Sequence, residues 1–267
     1  GDTSTGFDPY FVAEARARGI DVQRAIEGYT RVDKLLRQIR VGDIPEEGAF
    51  VMLLRQLLHY PEVLMWEKMW LDAHHAFYRE LHGLVKFYDP AYEFGLGIWQ
   101  VINTYNPYLR AQYDQAEYAD YADWFKPVLY HTPAGARFKG FADSWQKGVL
   151  ADASPDGAYN ALATVLGFED FVAPYDEGPL AGFKPEYVKR WTQRLHQQTG
   201  RPVYPGIGVG VGHNGTSKDI TPQEIKAGVN AGFDGGAAGV LISRNYSEAE
   251  LRNLEAVGEA LRERGLV

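Results

Sequence analysis

Over about the first ninety residues apolar side chains recur at intervals of three and four, the spacing of helices that bury one stripe. Asp8-Pro9 reads as an N-cap followed by a first-turn proline, opening a helix that Gly19 ends. Asp21 caps a second helix, whose predicted stripe is Val22, Ile26, Tyr29, Val32, Leu35, Leu36 and Ile39. A third follows Pro45 through Phe50, Leu53, Leu54 and Leu57 until Pro61 breaks it, and a longer one carries Val63, Trp70, His74, Phe77, Leu81 and Leu84.

After Asp89-Pro90 the period changes to two. Tyr92 to Ile102 is predicted to be a strand, with Leu96 and Ile98 on one face and Gly95, Gly97 and Trp99 on the other. Helices and strands then alternate: a helix from about Pro107 to Tyr121, a strand from Trp124 to Tyr130, a helix from Pro185 to Gln198, and a strand from Val203 to Val211. Thr221-Pro222-Gln223-Glu224 is a capping box for the next helix, which leads through Gly232 to a strand from Ala237 to Ser243. Ser247 with Glu250 is expected to cap the last helix, and His131 to Lys184 to be a long insertion.

Strands separated by helices imply a mostly parallel sheet, because parallel neighbours need a crossover. The expected fold is α/β: a TIM-barrel-like (β/α) arrangement over residues 91–267, preceded by a helical segment over 1–90 that packs on it, one domain overall. Only four strands are evident where a barrel takes eight, so the chain reads as the C-terminal part of a barrel, completed by an upstream segment or a second chain.

Composition narrows the partners. Lys+Arg 27 against Asp+Glu 35 leaves a net charge of −8, the wrong sign for a general nucleic-acid binder. The absence of cysteine excludes disulfides, thiolate metal sites and a cysteine nucleophile. No apolar run has the roughly 18–20 residues of a membrane span. Gly1 to Thr5 form no secretion signal, and secretion or the periplasm after loss of a leader is the compartment preferred.

Four runs carry a family resemblance: Phe77-Tyr78-Arg79-Glu80-Leu81-His82, Gly95-Leu96-Gly97-Ile98-Trp99-Gln100, Ala119 through Trp124-Phe125-Lys126-Pro127 to His131, and Gly239 through Arg244-Asn245-Tyr246-Ser247-Glu248. Together they resemble glycoside-hydrolase-like (β/α)8-barrel proteins, over the part after the fourth barrel strand. The resemblance implies a carbohydrate ligand and, in many such enzymes, one carboxylate after the fourth strand and another after the seventh. Here the counterpart of the seventh strand ends Gly210-Val211-Gly212-His213-Asn214 with no acid, and the fourth would precede Gly1.

Barrel sites lie at the C-terminal ends of strands. The first end offers Trp99, Gln100 and Asn103, an indole to stack on a sugar ring and amides to orient hydroxyls. The second offers Lys126, Tyr130 and His131, with Lys126 and Tyr130 on one face, Asp123 as a companion carboxylate on the other, and His131 suited to proton transfer. The third follows the alternating glycines Gly206, Gly208, Gly210 and Gly212 with His213 and Asn214 as polar contacts. The last offers Arg244 and Tyr246 for a ligand and Glu248 as a catalytic acid, although a carboxylate in a first helical turn also serves the helix dipole. His75 and His82 stand two helical turns apart, about 10 Å along the axis, too far for one ion, so neither metal nor cofactor is expected. The leading expectation is a glycoside-hydrolase-like enzyme. A non-catalytic glycan-binding or assembly module, and a sugar-phosphate isomerase or aldolase using Lys126, are the alternatives.

Overall fold

The computed structural model describes residues 6–98, 105–210, 218–243 and 249–267. Its contacts group the chain into two compact units, residues 1–77 with 143–158, and residues 78–142 with 159–267.

The first unit is helical. Helices α1 (Pro9–Ala17), α2 (Val22–Arg40) and α3 (Ala49–His59) belong to it, followed by the start of α4 (Glu62–Tyr88). The predicted caps form: Asp8 accepts from the backbone N–H groups of Tyr10 and Phe11, and Asp21 from that of Arg24. Ala15, Ile20, Ala25, Trp66 and Met69 make one core, with Phe7 stacked on Trp66 at 4.4 Å; Leu35, Ile39 and Ala49 make another, joined by Ala151. The predicted stripe of α2 packs inward at Val22, Tyr29, Leu35 and Ile39, with one exception and two additions. Ile26 is exposed, while Ala25 and Gly28 are buried, because a Cβ on Gly28 would stand 2.5 Å from Val63 and 2.7 Å from Tyr60. In α4 the buried residues include Val63, Trp66, Met69 and Leu71, whereas the predicted Trp70, Phe77 and Leu84 face solvent.

The second unit is α/β. Among the described residues, four short parallel strands, β1 (Gly95–Ile98), β2 (Trp124–Pro127), β3 (Gly206–Gly208) and β4 (Leu241–Ser243), occur in it with helices between them. β1 pairs with β2 and β3 with β4, and bridges at Phe125↔Val203 and Val128↔Gly206 join the pairs, so the strands lie in the order β1-β2-β3-β4. Pro127 explains why the middle join is reduced to bridges. Phe125 N–H donates to Pro202 O and Leu129 N–H to Gly206 O, and the intervening position on that side is a proline with no N–H to give.

The described strands do not close into a barrel, so a complete TIM barrel is not what they form. They are also shorter than the alternation suggested. The expected helix Pro107 to Tyr121 divides into α5 (Pro107–Gln112), capped by Asn106, and a 3-10 helix (Gln115–Tyr121) capped by Asp114. The expected insertion after β2 is largely helical: α6 (His131–Gln146), α7 (Pro155–Leu166) and α8 (Gly178–Ala181). It leads to α9 (Glu186–Thr199), whose Tyr187, with Tyr105, Phe138, Phe168 and Phe183, forms a buried aromatic core with edge-on contacts near 5–6 Å. α10 (Pro222–Asp234) and α11 (Leu251–Glu263) complete the unit. Glu250, not Ser247, is the N-cap of α11, and Ser247 lies outside the described residues.

Candidate functional site

The two faces of the sheet differ. Leu96, Phe125 and Val203 pack with Tyr118, Tyr121 and Leu195 in one core cluster, the face covered by helices. The register puts Gly97 beside Lys126, Gly206 beside Leu241, and Gly208 beside Ser243 on the other face. A Cβ on Gly206 would come within 3.0 Å of the Lys126 Cε and 3.5 Å of the Tyr130 ring, so both side chains lean across this glycine, as their spacing of four predicts. At the N-terminal end of the face the Trp124 indole occupies the space above Gly95, meets Tyr204 edge-on at 5.6 Å, and Tyr204 in turn covers Gly239. Gly97 is exposed, with nothing among the described residues within 4 Å of where its Cβ would be. The result is a floor of glycines, closed at one end by Trp124 and Tyr204, with Lys126 in the middle and Tyr130 rising at the other end.

Lys126 is half-buried and has no ion pair among the described residues. Tyr130 is buried, packs on Val128, and has the Arg137 guanidinium 5.7 Å from its ring centre. Ser243, 6% exposed, shares this face through its register with Gly208.

His131 has a different setting. It is the first residue of α6, only 2% exposed, with its ring against Gly228 of α10, where any Cβ would collide with it. Nε2 lies 3.1 Å from the Glu224 carbonyl. A carbonyl can only accept, so Nε2 carries the hydrogen and Nδ1 is left as an acceptor, without a partner among the described residues. Burial pushes the imidazole down to about 4, against a smaller upward pull from the Glu224 carbonyl. The ring is therefore neutral at neutral pH and ties α6 to α10, a positioning role rather than an exposed proton donor. Around it, Thr221 and Glu224 form the predicted capping box, and Lys218 donates to Glu224 Oε1 at 2.7 Å and to Ala181 O at 2.9 Å. Burial raises the Glu224 pKa, but Lys218 and the Thr221 groups outweigh it and hold the carboxyl below its usual range.

Asp123 stands at the opposite end of β2, before its first residue. It accepts from Phe94 N–H at 2.7 Å and pairs with Lys86 at 2.9 Å. Burial favours its neutral form, yet the Phe94 N–H and the Lys86 ammonium keep it below the ordinary carboxylate range. It is a structural clasp at the strand start, apart from Lys126, Tyr130 and Ser243. Trp99, Gln100, Asn103, His213, Asn214, Arg244, Tyr246 and Glu248 lie outside the described residues. Sequence reasoning did not single out Ser243 as a site residue, nor Glu224 and Lys218 as partners of His131. The strand period was the available signal for Ser243, while nothing in the local sequence joins Lys218 to residue 131.

Among the described residues no cluster of three or more His, Asp or Glu side chains could hold a metal ion, and no helix is long and apolar enough to cross a membrane. No protein-family model, curated protein or solved structure matches this chain.

Proposed function

We propose that this chain is a carbohydrate-active protein, that its four strands are part of a (β/α) barrel of the glycoside-hydrolase-like kind, and that a saccharide lies on the glycine floor. The observation that carries this reading is the open space above Gly97, between the Lys126 row and the end of β1. Strand order β1-β2-β3-β4 is the sequential order of barrel strands, in which ligands sit at the C-terminal ends. Hydroxyl-rich ligands need convergent polar groups over an apolar or aromatic floor, and Lys126 and Tyr130, which meet over Gly206, offer that combination. Glu224, at the start of α10, is already engaged by Lys218 and Thr221, so the described geometry supports binding more strongly than hydrolysis. Glu248 remains the sequence candidate for proton donation.

Isothermal titration with a panel of oligosaccharides, coupled to assay of reducing ends, tests the reading. A Gly97→Phe chain is its control, because the new ring enters space that the described residues leave unfilled. Saturable binding by the native chain, abolished in Gly97→Phe at unchanged melting temperature, is the expected result. Binding that survives this substitution, or no binding at all, rejects the site.

A second reading takes the half-buried Lys126, without an ion pair among the described residues, as the amine of an aldolase or isomerase acting on a sugar phosphate. Borohydride reduction in the presence of the sugar phosphate would then leave a stable adduct on Lys126, and an unlabelled Lys126 removes this reading.

A further inference from the structure

Lys126 differs from the other described lysines in its setting. Lys68, Lys86, Lys218 and Lys226 are paired with Asp72, Asp123, Glu224 and Glu263, while Lys139 lies 3.9 Å from the Tyr175 ring centre. Lys34, Lys147, Lys184 and Lys189 are exposed to water. Lys126 is half-buried between Gly97 and Gly206 with no carboxylate in ion-pairing distance among the described residues, in a chain whose net charge is −8. A cation removed from much of its water without a counter-charge is costly, and an anion at that place recovers the cost through a charge-assisted hydrogen bond.

We infer that the saccharide of this site carries an acidic group, carboxylate or phosphate, which Lys126 binds on the open face of the sheet. The inference rests on the reading of that face as the saccharide site. Gly97, beside Lys126 in the register, leaves space among the described residues that an acidic group can enter, while over Gly206 the Lys126 side chain and the Tyr130 ring fill the room. Acidic sugars would therefore be chosen over neutral ones of the same shape.

Titration calorimetry on the whole chain compares digalacturonic acid with its neutral methyl ester, and galactose 6-phosphate with galactose. Lys126→Met removes the charge at similar length, and Lys126→Arg restores it. The native chain is expected to bind at least one acidic probe about tenfold more tightly than its neutral counterpart, roughly 1.4 kcal/mol. Lys126→Met should erase that preference and Lys126→Arg retain it, and the preferred acid tells carboxylate from phosphate. Equal affinity for acidic and neutral probes, or a preference that survives Lys126→Met, overturns the inference while leaving the saccharide site standing. No saturable binding of any probe overturns both. Melting temperatures of the variants guard against loss of fold, and if Lys126→Met does not fold, the salt dependence of acidic-probe binding in the native chain decides, a flat dependence counting against the inference.

Discussion

The buried His131 ring gives the molecule a pH dependence whose sign follows from its surroundings. An unfolded histidine titrates near 6.5, and burial brings the folded group to about 4. As pH falls through that window the unfolded chain takes up a proton that the folded chain refuses, so stability complete above about 6.5 is lost progressively toward 4. At about pH 5 the loss from this one group is on the order of 2 kcal/mol. Beside the ring, the Lys218 ammonium and the Thr221 groups hold the Glu224 carboxyl below its usual range, against its burial. Urea unfolding at about pH 7.5 and 5 should show a larger loss for the native chain than for His131→Gln, which keeps a donor for the Glu224 carbonyl but cannot titrate. Equal losses would place the ring in water. The sequence displayed the histidine but not its burial, because the wall that encloses it is Gly228, far away along the chain. The shared face of Lys126 and Tyr130, in contrast, was readable from strand period alone.

Elements with strong local signals form where the residues indicated. The Thr221 hydroxyl accepts from Glu224 N–H while the Glu224 carboxylate accepts from Thr221 N–H, and Asp8, Asp21 and Asn106 cap their helices as their types predict. Thr221→Ala is expected to cost about 1 kcal/mol in urea unfolding. Because Glu224 also supplies the carbonyl for His131, the same variant should reduce the difference in stability between pH 7.5 and 5; an unchanged difference would mean that cap and ring act independently. What failed at this scale was the extent of elements lacking a boundary residue of their own. Ser154-Pro155 is a readable start for α7, with Gly157 N–H bonded to Ser154 Oγ at 3.1 Å, yet glycines and aromatics on either side obscured it. Pro127 likewise marks an interruption inside what the alternation presents as one continuous strand. The addition of Gly28 to the buried face of α2 has a tertiary cause: Tyr60 and Val63 approach its backbone, and no periodicity assigns that role to a glycine.

At the scale of the molecule the order of strands makes a prediction about amide exchange. Phe94 and Ile98 accept from β2 at Asp123 N–H and Val128 N–H, so alternate residues of β1 turn their hydrogen-bonding groups toward β2, and Gly95 and Gly97 turn theirs toward the other edge. No described strand lies on that edge. The amides of Phe125, Val128, Leu129 and Tyr204, bonded between strands inside the sheet, should therefore exchange slowly, at rates set by opening of the whole unit. Those of Gly95 and Gly97 should exchange within the dead time of a native-state experiment, unless a strand from another copy covers them. Repeating the measurement over a hundredfold range of protein concentration separates the cases. Protection of Gly95 and Gly97 that rises with concentration means that copies of the chain pair along β1 and extend the sheet, whereas protection independent of concentration means that a strand of the same chain occupies the edge. Fast exchange at every concentration leaves β1 as the true margin of a four-stranded sheet, with the glycine floor open on the side where Gly97 stands.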